Sequence, residues 1–389
     1  MSAEKACPVC SSSGMSAFFE VSGLPAQIGL QWPSPEAARR CPRGDIRLGF
    51  CRDCGFIANL TFEPARLEYT PAYDNSLHFS PFFQAYARSE ALRLIERHNL
   101  HGKEVIEIGC GKGDFLSLLC GLGDNRGVGF DPGCEPPRPD PRVTLIRDLY
   151  SERHAGHRGD LICCRHVFEH VHNPTDFLRT LRSAIGDRSN TVVYFEVPNA
   201  SLILRDLSVW DVIYEHCSYF TRESLARAFA LCGFRVCDLA ETYEGQYLRV
   251  EALPGEGPAD SRGAQKGDLS GVARDVSDFA DGCRGLIEAW RSYLDTVRQA
   301  GQRAVLWGAG AKGVSFMNML KGQRSIEYVV DVNPRKQGRY VAGTGQQIVP
   351  PEFLRDYRPG VIIVTNPVYQ GEIRQMTERL GVTAEFRCA

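Results

Sequence analysis

Glu104-Val105-Ile106-Glu107-Ile108-Gly109-Cys110-Gly111-Lys112-Gly113-Asp114-Phe115-Leu116 decides how this chain is built. Glu104–Ile108 reads as a buried strand, the glycines at 109–113 as a tight turn, and Phe115-Leu116-Ser117-Leu118-Leu119 as the opening of a helix. A strand that runs through glycines into a helix lets the backbone approach a ligand that a Cβ would exclude, and turns amide groups toward it. The next strand candidate, Gly127–Phe130, ends at Asp131-Pro132, an acid placed to accept hydrogen bonds from two ribose hydroxyls. The third glycine of a dinucleotide pattern is missing at its spacing, so the expected ligand is S-adenosylmethionine. Gly109, Cys110, Gly111, Gly113, Asp131 and Pro132 are expected to line it, with Asp148, Arg165 and His166 joining from beyond later strands. Glu107 would hold a cationic amino group or order the loop.

Further strand candidates recur at Val143–Ile146, Leu161–Cys164 and Thr191–Val197, and Phe82, Phe83, Tyr86, Ala91, Leu94 and Ile95 predict an amphipathic helix over Pro81–Leu100. Strands alternating with helical stretches predict an α/β fold with a parallel, doubly wound sheet. Residues 254–270 carry the Gly, Pro and charge of an exposed linker. A helical stretch over roughly 271–300 then leads to a second strand–glycine loop–helix unit, Ala304-Val305-Leu306-Trp307-Gly308-Ala309-Gly310-Ala311-Lys312-Gly313, with strands at Tyr328–Asp331 and Val361–Thr365. The predicted division is a small module at 1–70, the main α/β domain at 71–253, a linker and helical connector at 254–300, and a Rossmann-like α/β domain at 301–389.

The chain has 389 residues, too many for one core. With 45 Lys and Arg against 47 Asp and Glu, its net charge of −2 draws it toward neither nucleic acid nor an anionic membrane; the cofactor loop, set between the 1–70 module and the second Rossmann-like unit, points instead toward a small-molecule substrate. No run approaches the roughly 18 apolar residues of a membrane span, and Met1–Cys7 lacks the apolar core of a signal peptide, so a cytoplasmic location is expected. The oligomeric state stays open between monomer and dimer.

In a reducing compartment the fifteen cysteines should not form disulfides. Cys7-Pro8-Val9-Cys10 and Cys51-Arg52-Asp53-Cys54 are paired knuckles, each able to turn two thiolates onto one ion, and predict a closed, structural zinc site with Cys41 as a substitute ligand. The scattered cysteines read as small buried residues. At 308–313 the second loop does spell GxGxxG, with Asp331 eighteen residues beyond, which fits either a bound dinucleotide or a turn under close helix packing. Catalytic candidates lie between the loops. Arg165-His166-Val167-Phe168-Glu169-His170 follows a strand, and Tyr214-Glu215-His216 holds a His beside a carboxylate, able to act as a general base; a satisfied core histidine would look alike. His154 and His157, beside Arg153 and Arg158, read as solvated surface.

In this order the pieces resemble the three-domain sugar C-methyltransferases, typified by enzymes that methylate C-3 of nucleotide-linked 4-keto deoxysugars. The likeness spans the CxxC pair, Ala72-Tyr73-Asp74-Asn75-Ser76, the loop at 107–116, the segments 165–170 and 214–221, and the unit opening at Leu306. The resemblance implies that the zinc module and C-terminal domain help enclose a sugar nucleotide, and that the second glycine loop has no redox role. It also implies that His216 removes a proton alpha to a ketone, with Glu215 adjusting it and Tyr73, His170 and Tyr214 orienting the substrate or stabilising the enolate. Methylation of an oxygen, on a sugar hydroxyl or a carboxylate, is the second reading, and a non-catalytic nucleotide-binding module the third.

Overall fold

The computed structural model describes residues 5–74, 76–135, 140–255, 269–322 and 325–389. Most of the predicted 254–270 linker, residues 256–268, and Asn75 of the 72–76 motif lie outside them.

The N-terminal region is a four-stranded antiparallel sheet of β1 (Ser16–Pro25), β2 (Arg43–Phe50), β3 (Ile57–Asn59) and β9 (Ser218–Tyr219), with a short helix α1 (Pro35–Arg39) between β1 and β2. The last strand comes from far along the chain, where Ile57 pairs with Tyr219. The region has little apolar sequence of its own, and its core is accordingly shared. Cys7, Val9, Cys51, Cys54 and Phe56 pack with Phe168, Phe195 and Phe220 of the central domain, while Leu24, Ile46 and Leu48 join residues of the C-terminal domain.

The central sheet has the order β10-β11-β8-β7-β4-β5-β6. Its parallel strands are β4 (Glu104–Ile108), β5 (Arg126–Phe130), β6 (Val143–Ile146), β7 (Leu161–Arg165) and β8 (Val192–Pro198); β10 (Phe234–Thr242) and β11 (Tyr247–Pro254) run antiparallel at one edge. The helices around it start where the local sequence dictates. In α2 (Pro81–His98), Ser80 accepts from the Phe83 amide, Pro81 fills the first turn, and Phe83, Ala87, Ala91, Leu94 and Ile95 form the buried stripe, which Phe82 leaves. Then follow α3 (Asp114–Gly123), α4 (Pro174–Ile185), α5 (Ala200–Arg205) and α6 (Arg222–Leu231), the last opened by a Thr221–Ser224 capping box. This is the α/β fold of class I methyltransferases, with β4 at the point where strand order reverses between β5 and β7.

A 30-residue helix, α7 (Ser270–Gln299), carries the chain onward. Its fully buried Phe279 meets Phe18 and Phe19 of β1 edge-on at 6.3 and 5.4 Å, tying connector to N-terminal sheet. The C-terminal sheet is all parallel, β14-β13-β12-β15-β16, from β12 (Ala304–Trp307), β13 (Ile326–Val330), β14 (Gln347–Val349), β15 (Val361–Val364) and β16 (Glu385–Cys388). Helices α8 (Ala311–Met319), α9 (Leu354–Tyr357) and α10 (Gln370–Arg379) flank it, and β12 is its own reversal point, between β13 and β15. No helix among the described residues is long and apolar enough to cross a membrane.

Candidate active site

The crevices at the two reversal points face each other across one cavity of about 940 Å³, lined from one side by Gly109–Lys112 and from the other by Trp307, Gly308 and Gly310–Gly313. On the central side, Gly109 has φ +71°, and a Cβ there would lie 2.0 Å from Val167, so only glycine lets the loop turn here. Asp131 accepts from the Gly111 amide at 3.0 Å and the Gly133 amide at 2.6 Å, leaving a lone pair on each oxygen for hydroxyl donors. Burial pushes its carboxyl up from its ordinary value. Glu107 accepts from the Leu116 amide at 3.1 Å, and burial pushes it up to about 8. Cys110, Pro132 and Asp148 also border the cavity, the last held by Arg153 and, at 3.2 Å, by His154. A loop that requires glycine at 109, a desolvated carboxyl at its floor and an acid beyond the next strand fit S-adenosylmethionine. Gly113 does not border the cavity; it begins α3 in the left-handed region.

Arg165 and His166 close the floor on Glu196. The guanidinium lies 2.8 Å from that carboxylate and stacks 4.0 Å over Phe115, while the His166 Nε2 is 2.9 Å from the same oxygen. Tyr86 and Tyr194 donate to the other oxygen. Burial alone would raise the Glu196 carboxyl, but Arg165 and His166 hold it well below the usual range.

Beyond the cofactor loop, Glu169, His170 and His216 bring one ligating atom each to within 4.8 Å of one another, all three bordering the cavity. The His170 and His216 rings stand almost perpendicular, 4.9 Å apart. Burial keeps both neutral, His170 pushed down to about 4 and His216 well below its ordinary value. The Nδ1 of His170 is 3.1 Å from the Glu215 carbonyl and 3.2 Å from the Tyr69 hydroxyl. A carbonyl only accepts, so this nitrogen carries the proton and Nε2 is left as an acceptor. In His216 the buried nitrogen is Nδ1, which leaves Nε2 toward the cavity.

Besides Gly113, three expectations change. Tyr214 is not in the cavity: its ring packs on Phe62 at 5.5 Å and under Gly44, and its hydroxyl accepts from the Glu63 amide at 2.9 Å. Glu215 follows it inward and turns away from His216, accepting from Ile28 N and, at 2.6 Å, from Tyr73. Successive residues of an irregular segment point to different sides, and here Ile28 and Tyr73 lie on the side Glu215 faces. His154 is buried rather than solvated, packed 4.6 Å from Phe130. Glu169, within the candidate segment 165–170, and Tyr69 also border the cavity, and nothing in the sequence around Tyr69 signals it.

In the C-terminal domain a Cβ on Gly313 would meet the Gly308 carbonyl at 1.9 Å, so close packing of helix on strand accounts for that glycine. Asp331 is taken up within the loop: it accepts from Ala309 N and Asn333 N at 2.8 Å each and faces buried Lys336 at 3.7 Å. At the N-terminal end, the Sγ atoms of Cys7 and Cys54, and of Cys10 and Cys51, lie 3.6 Å apart, and all four fall within 4.8 Å; Cys41 is not among them.

Residues 82–239 match the methyltransferase domain family, and residues 270–385 match the C-methyltransferase C-terminal domain. The chain is 26% identical over 300 residues to the C-methyltransferase NovU of Streptomyces niveus, covering 72% of this chain and 70% of that one. It is 26% identical over 113 residues to the ubiquinone biosynthesis O-methyltransferase of Shewanella pealeana, covering 26% of this chain and 47% of that one. Among solved structures it aligns with magnesium protoporphyrin IX methyltransferase of Synechocystis PCC 6803 with bound SAH, at 16% identity and a TM-score of 0.35, over 45% of this chain and 84% of the other. With this sheet order and this loop, the chain is an S-adenosylmethionine-dependent methyltransferase that carries a C-methyltransferase C-terminal domain.

Proposed function

We propose that the enzyme C-methylates a nucleotide-linked keto-deoxysugar, with His216 as the base. The observation that carries this is a neutral, buried histidine whose Nε2 faces a cavity bordered by both the cofactor loop and the C-terminal glycine loop. Because both loops border the cavity, a sugar held beside the first would lead its nucleotide toward the second. Bound in its loop, S-adenosylmethionine supplies an electrophilic methyl group. His216 takes the proton alpha to the ketone, and the C–H electron pair becomes the enolate. An oxyanion donor must then stabilise the ketone oxygen. The proton of Tyr73 is committed to Glu215, whereas Tyr69 accepts from His170 and keeps its own proton for the substrate. His170 orients a sugar hydroxyl through Nε2. The same base would serve an acceptor hydroxyl, which makes O-methylation the second reading.

Mass spectrometry of reactions with methyl-deuterated cofactor and a panel of nucleotide 4-keto sugars tests this. A labelled methyl on carbon, with solvent deuterium entering that carbon before transfer, is expected. His216→Gln should abolish transfer and exchange while sparing cofactor binding; His170→Gln should spare exchange. Transfer only to oxygen, or exchange surviving in His216→Gln, would sink the assignment.

We read the four N-terminal thiols as a structural zinc site. Tetrahedral thiolates at ordinary Zn–S bond lengths stand about 3.8 Å apart, close to the spacing here.

A further inference from the structure

We propose that Glu169 is the positioning partner of His216: its carboxyl accepts the Nδ1–H of that ring and so holds the Nε2 lone pair toward the acceptor carbon. This rests on His216 as the base, and names the group that sets its tautomer.

Two observations meet here. The Nδ1 of His216 and the Oε2 of Glu169 are both buried, and neither has a hydrogen-bond partner among the described residues. The two residues belong, with His170, to a cluster in which one ligating atom from each lies within 4.8 Å of the others. A buried donor and a buried acceptor left over on two residues of one cluster are complementary, and hydrogen bonds at such sites often tighten only when substrate is bound. The other nearby groups are engaged. Both Glu215 oxygens are taken, by Ile28 N and Tyr73, and the Nδ1 of His170 is held by the Glu215 carbonyl. Of the two carboxyls beside the histidines, Glu169 is the one with an oxygen to spare.

The geometry follows from the fold. Glu169 sits on the short turn Phe168–His170 leaving β7, at the carboxyl edge of the sheet, at 2% exposure. Phe168 stacks on Phe220 at 4.7 Å, which fixes the turn against the segment that carries His216. A histidine ring held at one nitrogen presents the other in a set protonation state, and for neutral imidazole that state decides between base and donor. Burial pushes the Glu169 carboxyl up to about 8, and even when protonated its carbonyl oxygen can accept from Nδ1–H.

The test uses the full-length chain with ¹⁵N-labelled histidine. Long-range ¹H–¹⁵N spectra report the tautomer of His216, assigned by the signal lost in His216→Gln. The wild type is expected to carry the proton on Nδ1. Glu169→Leu should shift His216 toward the Nε2–H form and lower kcat by about 10²-fold, with KM and S-adenosylhomocysteine affinity little changed. Glu169→Gln, whose amide oxygen still accepts, should keep both tautomer and rate. A wild-type His216 protonated at Nε2 would overturn the proposal whether or not any variant folds. So would a Glu169→Leu protein with an unchanged tautomer, or a kcat lost equally in Leu and Gln. If no nucleotide keto sugar is methylated yet the tautomer follows Glu169, the substrate reading fails and the positioning role stands.

Discussion

Glu107 reports its surroundings through its proton. It accepts from the Leu116 amide, and burial pushes its carboxyl up to about 8, whereas in the unfolded chain it ionises at its ordinary value near 4.5. Between those values the native state holds a proton that the unfolded state has lost, so this group's contribution to stability is whole below the lower one and declines as pH rises to the upper. Glu107→Gln stays neutral throughout and keeps an acceptor for Leu116. Its stability relative to wild type is expected to improve by up to about 1.4 kcal/mol per pH unit between about pH 5 and about pH 8. Urea unfolding of the cofactor-free protein at several pH values measures this, and parallel curves for the two proteins would contradict it. A cationic cofactor above the same carboxyl should draw the proton off, as a desolvated acid gains most from an opposite charge.

The elements of the N-terminal region depend on their neighbours more than on themselves. β3 completes its pairing only with β9, and the cysteine knuckles pack into the core that holds Phe168 and Phe220, the aromatic pair under the 168–170 turn. A metal that staples the knuckles therefore supports the active-site turn as well. About one zinc per chain is expected by elemental analysis. Stripping it, or replacing Cys51 with Ser, should cost on the order of several kcal/mol, with the central domain melting in the same transition. A central domain that melts unchanged after zinc removal would show the staple to be local. The short turns behave alike: Tyr214, Glu215 and His216 diverge because Glu63 and Ile28 of the N-terminal region take the first two side chains and leave the third to the cavity.

At the scale of the whole molecule, the residues Tyr73 and Asp74 tie three regions together. Tyr73 donates to Glu215, the Asp74 amide donates to the Gly29 carbonyl of the N-terminal region, and the Asp74 carboxylate accepts from Asn333 at 3.1 Å and Arg335 at 3.0 Å in the C-terminal domain. Asp74→Ala should free this strap and raise KM for the proposed sugar nucleotide by about tenfold, the scale of one lost charged hydrogen bond, while S-adenosylhomocysteine affinity stays close to wild type. Equal losses in both would mean that the strap serves the cofactor loop instead. The sequence by itself determined the cofactor unit, because a strand, a glycine turn, a helix and Asp131 are local features read from spacing and Cβ sterics. It also determined the four clustered thiols, since paired knuckles constrain their own ligands. Only the tertiary structure decided which polar groups share the cavity. Tyr214 and Glu215 are close to His216 in the chain yet turn to Glu63, Ile28 and Tyr73, while Glu169 joins His216, and Tyr69 joins His170, from distant segments. Side-chain direction in irregular backbone is set by what packs against it, and that neighbour is nowhere written in the local sequence.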